Sequence, residues 1–453
     1  IQEKRKRPLL GRFVKSGGSK MEKWQESLAA GEKQLVEDRR DVHRYAETGW
    51  TEYRTAAKVA ERLAQLGYAL TVGKDALCGE DRMGVPKAEV LAAQEARALQ
   101  QGTPEKWLEQ MRGGFTALWA DLDCGEGPLV ALRFDLDAND CVESSEEAHR
   151  PQAAGFASVQ EGAMHACGHD GHVAVGLAVA AALAAQRSQL HGKIRLIFQP
   201  AEEGVRGAKA MVSAGAVKNV DYLLGAHIGF KATRTGQVIC GTDNFLATTK
   251  MDVTYTGVSS HAGAFPEQGK NALLAACAAA LNLHAISRHG GGATRITVGT
   301  LHAGQGRNVI PPNAFFQLET RGATSELDEY MQGEARRVIE AAAAMWDVSY
   351  QIDVVGGTKG GESDTEVIAK VEKAARNIPF FTEIETRVDF GASEDFAYLL
   401  SAVQEQGGKG CYTMFGAQLA AGHHNGRFDF DEAVLAPAAE LLVRSTLQLL
   451  ESE

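Results

Sequence analysis

The sequence predicts an α/β protein whose mixed, partly parallel sheet is interrupted by a smaller inserted unit. Apolar runs typical of buried strands alternate with helical segments, and the runs 193–198 and 222–228 are apolar almost throughout, as strands buried on both faces are. The insert is predicted because the order of elements changes after about residue 245. With 453 residues, 44% of them hydrophobic, the chain is long enough for more than one domain.

The elements before residue 245 are predicted from apolar spacing and turn residues. The helical segments are 21–66 (interrupted near Gly49), 83–111 and 171–185. The strands are 115–121, 129–134, 193–198 and 222–228. A turn rich in Asp and Gly at 123–127 predicts that the first two strands form a hairpin.

From residue 246 to 356 the predicted order is strand, helix, strand, strand, helix, strand. The strands are 246–256, 295–302, 313–320 and 348–354, and the helices are 271–286 and 326–345. This βαββαβ order is ferredoxin-like, and the length suits a separate domain. We therefore expect a larger domain in two parts, 21–245 and 357–453, around an insert at 246–356.

The charge balance limits the partners of the chain. It has 47 basic and 58 acidic residues, a net charge of −11, which disfavours nucleic acid and anionic membranes. Residues 1–20 have seven Lys/Arg and one Glu (+6), leaving −17 for the rest, and predict a disordered basic arm rather than a targeting signal. Long apolar runs are missing, so no membrane helix is expected. Seven scattered cysteines predict a reduced, cytoplasmic chain.

The strongest candidate for a metal site is the run 165–172, which contains a thiol, three imidazoles and a carboxylate. Cys167 and His169 are separated by one glycine just before a predicted helix, a spacing that suits a loop turning two ligands onto one ion. Thiolate and imidazole together favour zinc. The alternative is a polar loop whose histidines are satisfied by other groups.

A second candidate is the carboxylate pair Glu202 and Glu203, directly after a buried strand and Pro200. Adjacent side chains point apart, so one can bind metal while the other faces the substrate as a general base. The alternative is a solvated acidic pair. The position at the carboxyl end of a strand favours a site, because α/β sheets place their sites there.

Further nitrogen ligands are available later in the chain. His227 ends an apolar strand, where a core histidine is the alternative, and two histidines lie in a Gly-rich loop near residue 424. Together the candidates would supply enough ligands for two metal ions. The set is Cys167, His169, Glu203, His227 and one of His423 or His424.

The order of these motifs resembles the amidohydrolase branch of the aminoacylase/carboxypeptidase metallopeptidases. The motifs are RFDLDA, MHACGHDGH, QPAEEG, a strand-end His, SSHAG, NVIPP, ETRG, GASEDF and HHN before FDFDE. The resemblance, from about residue 33 to the end, implies a di-metal catalytic domain interrupted by a lid or dimerisation domain. It also implies an amidohydrolase with two Zn or Mn ions per chain that works as a homodimer, or as a hetero-oligomer with a second, homologous subunit.

The resemblance further implies a role for each matching residue. Cys167 would bridge two ions, one completed by His169 and His227 and the other by Glu203 and His424. The remaining implied roles are a general base (Glu202), a group that polarises the substrate carbonyl in the neighbouring subunit's site (His261), substrate-carboxylate ligands (Asn308 and Arg321), and acids that hold the ligand imidazoles (Asp135 and Asp170).

The expected substrate follows from features of one subgroup. The helical segment 83–112 and the runs GTDNFLATTK and LAAGHHNGRFDFDE resemble members that act on the folate catabolite p-aminobenzoyl-glutamate. Hydrolysis of another N-acyl amino acid, hippurate-like or auxin-conjugate-like, is the alternative. A non-catalytic regulatory subunit is a third reading, which the intact Glu202 and ligand set disfavour. The segment LRFDLDAND departs from the family's LRxDMDALP, which affects the expected substrate contacts rather than the metals.

Overall fold

The computed structural model of the protein describes residues 21–451, so the basic arm predicted at 1–20 lies outside the described residues. The helices are α1 (Lys23–Arg44), α2 (Tyr53–Gln65), α3 (Ala88–Gln100), α4 (Glu105–Met111), α5 (Arg150–Ala153), α6 (His169–Gln186), α7 (Ala208–Ala214), α8 (Ala272–His284), α9 (Ser325–Met345), α10 (Thr365–Ala375), α11 (Phe396–Glu405) and α12 (Leu435–Leu450).

The strands form two main sheets and two short pairs. They are β1 (Ala69–Val72), β2 (Leu118–Asp123), β3 (Leu129–Asp135), β4 (Asn139–Asp140), β5 (Ala163–Met164), β6 (Lys193–Gln199), β7 (Tyr222–Ile228), β8 (Gln237–Ile239), β9 (Thr242–Asp243), β10 (Ala247–Thr256), β11 (Thr294–Ala303), β12 (Asn313–Gly322), β13 (Ser349–Thr358), β14 (Glu383–Glu385), β15 (Val388–Asp389) and β16 (Lys409–Phe415).

The larger sheet has eight strands in the order β1-β2-β6-β3-β7-β16-β8-β14. Its four central strands, β6, β3, β7 and β16, run parallel. Strands β1 and β2 pair antiparallel with their neighbours, and β8 is antiparallel to β16 but parallel to β14. The predicted mixed, partly parallel sheet is therefore confirmed. Because the central strands are parallel, their carboxyl ends meet at one edge of the sheet.

Side-chain alternation along the central strands builds a core on each face of this sheet. On β3, Val130, Leu132 and Phe134 pack into the core formed with α1, α6 and α12, whereas Ala131 packs into the core formed with α7 and α11. Helix α6 is buried around most of its circumference, as expected for a helix without a polar face. The sheet is thus covered by helices on both faces.

One connection differs from the prediction. Strands β2 and β3 do not form a hairpin, because β6 lies between them, antiparallel to β2 and parallel to β3. The 123–127 segment crosses the start of β6, where the Cys124 N–H donates to the Gly192 carbonyl and the Gly192 N–H to the Glu126 carbonyl. A side chain at Gly127, which has φ +137°, would lie 2.9 Å from the Gly192 backbone. Gly127 therefore allows the segment to pass close to the Gly192 backbone.

The insert is a separate four-stranded antiparallel sheet in the order β11-β12-β10-β13. Helices α8 and α9 pack on one face, against Met251, Val253 and Tyr255 of β10. The chain order βαββαβ and the strand order are those of the ferredoxin-like arrangement, as predicted. Because strand side chains alternate, Thr248, Lys250 and the other even-numbered residues of β10 face away from these helices. A lid or dimerisation role for this sheet stays a prediction.

One described helical segment, Glu432–Leu450, is long and apolar enough to cross a membrane by length and composition, with a mean hydropathy of 1.3. Within the protein, 72% of it is buried, against α6, α1 and α10. It packs as a core helix of the larger sheet.

Candidate active site

Polar side chains converge at the carboxyl edge of the central strands. Glu202 and Glu203 follow β6, His227 lies near the end of β7, and His424 lies in the loop after β16. Cys167 and His169 come from the start of α6. Parallel strands present loops and side chains at this edge, which explains why residues far apart in sequence meet here.

The start of α6 orients two side chains toward one point. Gly168, between Cys167 and His169, has φ +90°, a left-handed conformation that glycine adopts without strain. The Cys167 Sγ lies 3.6 Å from the His227 Nε2. His169 donates its Nδ1–H to the Asp137 carbonyl at 2.8 Å. In the neutral ring Nε2 then carries the lone pair, and that atom is buried without a hydrogen-bond partner.

His227 is held in the same tautomer, because its Nδ1–H donates to the Ile228 carbonyl at 2.8 Å and its Nε2 faces the cluster. Several groups of potential ligand atoms have all their atoms within 4.8 Å of one another, and two of these groups contain Cys167. One is Cys167, His169 and His227; the other is Cys167, Glu203 and His424. Cys167 belongs to both, as a residue bridging two ions would.

The structure distinguishes between the two adjacent histidines of the C-terminal loop. The His424 Nε2 lies 3.4 Å from the Glu203 Oε2. His423 instead donates its Nε2–H to the Ile228 carbonyl at 3.1 Å and stacks on Phe230, with ring centroids 4.3 Å apart. His424 has φ +61°, and strained backbone of this kind is concentrated at functional sites. The structure therefore joins His424, and not His423, to the ligand cluster.

The loop carrying the two glutamates is fixed by buried carboxylates. Asp137 accepts the backbone N–H groups of Glu202 and Glu203, at 3.0 and 2.9 Å, one on each of its oxygens. Glu52 accepts the N–H of Ala201, a residue with φ +51°. With their backbone held in this way, the Glu203 carboxylate lies beside His424 and the Glu202 carboxylate lies beside His169.

Electrostatic surroundings give the two glutamates different proton affinities. Burial raises the pKa of Glu202 well above its usual range, and the carboxylates of Glu394 and Glu203 raise it further. Burial also acts to raise the pKa of Glu203, but its hydrogen bond to His424 and the charge of His169 lower that pKa to about 2. Paired carboxyls whose pKa values are pushed apart are typical of acid–base sites.

The cluster fits divalent metal ions. The buried His169 Nε2 and Glu203 Oε1 have no hydrogen-bond partner in the described protein, and both are good ligand atoms. Burial raises the pKa of the Cys167 thiol well above its usual value, and Glu203 and Glu202 raise it further. A divalent cation reverses this effect, because a coordinated thiol loses its proton. The set of S, N and O donors suits zinc and similar ions.

A cleft of about 410 Å³ opens directly onto the cluster. Its walls include Cys167, Glu202, His424 and the phenyl rings of Phe230 and Phe390. Three residues of the inserted sheet complete it: Thr248, Lys250 and Arg321. Reactive groups and an organic ligand could therefore meet in this cleft.

A sequence model of one family, described as peptidase family M20/M25/M40, matches residues 131–448 and so includes this whole cluster. The chain belongs to peptidase family M20/M25/M40. It is a metal-dependent amidohydrolase, and the resemblance predicted from the motifs is confirmed.

Similar proteins are found along nearly the full chain of this M20/M25/M40 peptidase. It is 46% identical to the indole-3-acetyl-aspartic acid hydrolase of Enterobacter agglomerans, over 97% of this chain and 98% of the relative. It is also 46% identical to the A-type subunit of p-aminobenzoyl-glutamate hydrolase from Escherichia coli (strain K12), with the same two coverages. The crystal structure of the aminobenzoyl-glutamate utilization protein from Klebsiella pneumoniae is similar with a TM-score of 0.82 and 40% identity, over 94% of this chain and 98% of that chain.

Two acids of the M20/M25/M40 chain form hydrogen bonds with groups other than the predicted ligand imidazoles. Asp135 accepts a hydrogen bond from the His172 Nδ1–H at 2.9 Å, and the His172 Nε2 is already used to accept the Ile228 N–H. Neither hydrogen bond involves a predicted ligand imidazole, although an Asp135 oxygen lies within 4.8 Å of a ring nitrogen of His169, so the role of Asp135 stays a prediction. Asp137, two residues further along, accepts the hydrogen bond from His169.

Asp170 lies away from the ligands. Its carboxylate accepts hydrogen bonds from the Arg39 Nε–H at 2.7 Å and the His43 Nδ1–H at 2.9 Å, beneath α1. The physical reason is the helix: Asp170 follows His169 by one residue of α6, and adjacent residues on a helix do not share a face. Asp170 fixes α6 to α1, and the prediction that it holds a ligand imidazole is wrong.

The predicted substrate groups of the insert divide between its two ends. Arg321 lines the cleft, where its Nε–H donates to Glu319 at 2.8 Å. His261 and Asn308 are exposed and lie together, since the Ala262 N–H donates to the Asn308 carbonyl at 3.0 Å. His261 follows the end of β10 and Asn308 precedes the start of β12, and the eight residue steps from Arg321 to Asn313 span about 26 Å. Within one chain, His261 and Asn308 are therefore remote from the ligand cluster.

Sequence reasoning missed Asp137 and a second group of buried carboxylates beside Glu202. Arg133 is buried and donates to Glu394 and Asp395, both at 3.0 Å. A signal was present for Asp137, because the RFDLDA motif contains two acids with strand spacing, Asp135 and Asp137. The motif GASEDF contained the other two acids, without any indication of their partner.

Proposed function

We propose that this chain hydrolyses the amide bond of p-aminobenzoyl-glutamate to p-aminobenzoate and glutamate, at a pair of divalent ions, Zn or Mn. The observation that carries the proposal is the membership of Cys167 in two ligand groups. Two relatives at 46% identity are named for hydrolysis of an amide of an acidic amino acid, one of p-aminobenzoyl-glutamate and the other of indole-3-acetyl-aspartic acid.

The ligand groups suggest how the chain would hold the ions. His169 and His227 would bind one ion and Glu203 and His424 the other, with the Cys167 thiolate between them. When bound, such ions supply Lewis acidity and lower the pKa of water. Asp137 has a supporting part, because it fixes the tautomer of His169 through its carbonyl and the glutamate backbone through its carboxylate.

Glu202 is the group that moves protons in the proposed reaction. Its side chain lies at the cleft, and its Oε2 is 3.9 Å from the His169 Nε2, beside the ligands but in neither Cys167 group. Glu202 takes a proton from the attacking water as the C–O bond forms. It delivers that proton to the amide nitrogen as the C–N bond breaks, so the acyl group leaves as a carboxylic acid and the nitrogen as an amine.

His261 would donate a hydrogen bond to the carbonyl oxygen as negative charge develops there. Its Nδ1 accepts the N–H groups of Gly263 and Ala264, at 3.2 and 3.1 Å, so the proton of a neutral ring is on the outward-facing Nε2. The separation of about 26 Å along β12 supports delivery of this imidazole, together with Asn308, to the site of a neighbouring chain.

The assembly is proposed on the same ground. A homodimer would satisfy the need for a second chain. One relative is named as a single subunit of its hydrolase, which also supports a hetero-oligomer with a second, homologous subunit. The second candidate reaction, hydrolysis of indole-3-acetyl-aspartic acid, is favoured by the equally similar relative named for it.

The test is hydrolysis by the purified chain with added Mn²⁺ or Zn²⁺. We expect free glutamate from p-aminobenzoyl-glutamate, detected by a coupled glutamate assay, and little activity for Glu202→Gln at unchanged metal content. Aspartate released much faster from indole-3-acetyl-aspartic acid would favour the second candidate. No hydrolysis of either amide at any metal loading, by this chain alone or with a co-expressed homologous partner, would overturn the proposal.

A further inference from the structure

Lys250 is the feature of the cleft that the proposed reaction leaves without a role. It lies on β10, on the sheet face away from α8 and α9, and lines the cleft with Glu203 and His424. It also lines the adjoining cleft of about 730 Å³, together with the same Glu203 and His424. Lys250 therefore lies where the two clefts meet, beside the predicted metal ligands Glu203 and His424.

A backbone irregularity fixes this position. The register between β10 and β13 shifts between Lys250 and Met251, which pair with Gly356 and Val354, so Val355 is an extra residue of a β-bulge. Bulges bend a strand and re-aim its side chains, and they are frequent beside active sites. Here the bulge lies directly opposite Lys250.

The bulge also docks onto the loop that follows the two glutamates. The Gly357 N–H donates to the Val205 carbonyl at 2.8 Å. A Cβ at Gly356 would lie 2.3 Å from the Gly204 carbonyl oxygen and 3.4 Å from the Lys250 Cδ. Only glycine allows this approach, which places both the Gly204 carbonyl and the aliphatic stem of Lys250 close to Gly356.

The Lys250 ammonium has no ion pair or hydrogen bond with any residue in the range 21–451, although acidic groups surround it. Glu319, directly across on β12, pairs with Arg321. Asp252, on the same face, accepts the Gln317 amide at 3.1 Å. Glu319 and Asp252 thus have other partners, and the Lys250 ammonium is available to a further anion.

We propose that Lys250 binds the side-chain carboxylate of the amino acid in the substrate and so selects acyl amides of acidic amino acids. The inference rests on the proposed function, since it assigns a specificity residue to that same site. An ammonium has three donors on a flexible stem, and a charge-assisted hydrogen bond is among the stronger polar contacts. A substrate whose amino acid has a neutral side chain would leave the Lys250 charge in the cleft without an acceptor. The enzyme would therefore discriminate against such substrates.

The test compares p-aminobenzoyl-glutamate with p-aminobenzoyl-glutamine, a near-isosteric analogue that keeps the α-carboxylate and has a neutral amide in place of the side-chain carboxylate. Wild-type enzyme should prefer the glutamate compound in kcat/KM. Lys250→Met keeps the aliphatic stem and should reduce that preference about 10- to 100-fold, mainly through KM for the glutamate compound. Lys250→Arg should restore part of the preference. Lys373→Met, the same change at an exposed position of α10, is the matched control and should leave the preference unchanged.

Metal content and thermal unfolding of Lys250→Met should equal those of the wild type, which separates a specificity role from damage to the fold. Equal losses of kcat/KM on both substrates, or no loss on either, would overturn the assignment of Lys250 to the side-chain carboxylate. A wild-type enzyme that hydrolyses neither compound, alone or with a co-expressed homologous partner, would instead refute the proposed function. The two failures are therefore distinguishable.

Discussion

The most informative experiment asks whether His261 acts in its own chain or in a neighbour's. His261→Ala leaves the ligand cluster and Glu202 intact, whereas Glu202→Ala leaves His261 intact. Each variant alone should have little activity, because every site lacks one group. The distance of about 26 Å between the two ends of the inserted sheet predicts that the defects complement each other when the variants share a dimer.

The size of the recovery follows from symmetry. When equal amounts of the two variants are unfolded, mixed and refolded, random pairing makes about half of the dimers mixed, and each mixed dimer has one complete site out of two. The recovered activity should therefore approach about a quarter of the wild-type value. If two affinity tags are used to isolate the mixed dimer alone, the expected value rises to about one half.

The assay is glutamate release at saturating p-aminobenzoyl-glutamate, with metal content and size measured on each sample. His261→Ala mixed with Asn308→Ala is the control, because both residues lie at the same end of the insert and no complete site can form. A mixed dimer of normal size and metal content that stays as inactive as its parents would refute the reasoning. Recovery only after addition of a homologous partner chain would show that the functional assembly is a hetero-oligomer.

The remaining predictions concern the metal centre and the buried ion network. Cys167→Ala should lower the content of both ions, measured by elemental analysis, and an unchanged content would remove Cys167 from the bridging position. Glu202→Gln should keep its metal and lose about 10²- to 10⁴-fold in kcat, whereas Glu203→Gln should lose metal. Asp170→Asn should reduce the free energy of unfolding by about 3 kcal/mol in urea, because Arg39 stays buried with weaker pairing; Glu383→Gln, in an exposed ion pair, should change it by less than about 1 kcal/mol.

Asp170 also gives stability a pH dependence of known sign. Burial acts to raise its pKa, but the charge of Arg39 and the hydrogen bond from His43 hold it well below the usual range of a carboxyl. Such a group stabilises the fold above the pKa it has when unfolded, and this contribution is lost as the pH falls toward the folded value. The stability difference between wild type and Asp170→Asn should therefore be largest near neutral pH and shrink in acid.

Much of the larger domain could be predicted because its signals are local. An apolar run followed by a turn and a carboxylate, as in 193–203, specifies both a buried strand and a group at its carboxyl end. Cys167 and His169 are close in sequence, so their convergence depends on one left-handed glycine. The hairpin between β2 and β3 was predicted wrongly because the turn residues are correct locally, and only the distant strand β6 decides that the segment is a crossing.

The positions of the predicted substrate-binding residues relative to the ligand cluster could not be predicted in this way, because the directions of the strands that carry them decide those positions. In the sequence, His261, Asn308 and Arg321 form one set of polar residues in one insert. In the structure, β10 and β12 are antiparallel and ten residues long, so Arg321 lies at the end that faces the ligand cluster and the other two residues lie at the opposite end. A rigid sheet cannot bring both ends to one small substrate. The pairing of β10 with β12 therefore separates Arg321 from His261 and Asn308 by about 26 Å, and residue types alone do not reveal this separation.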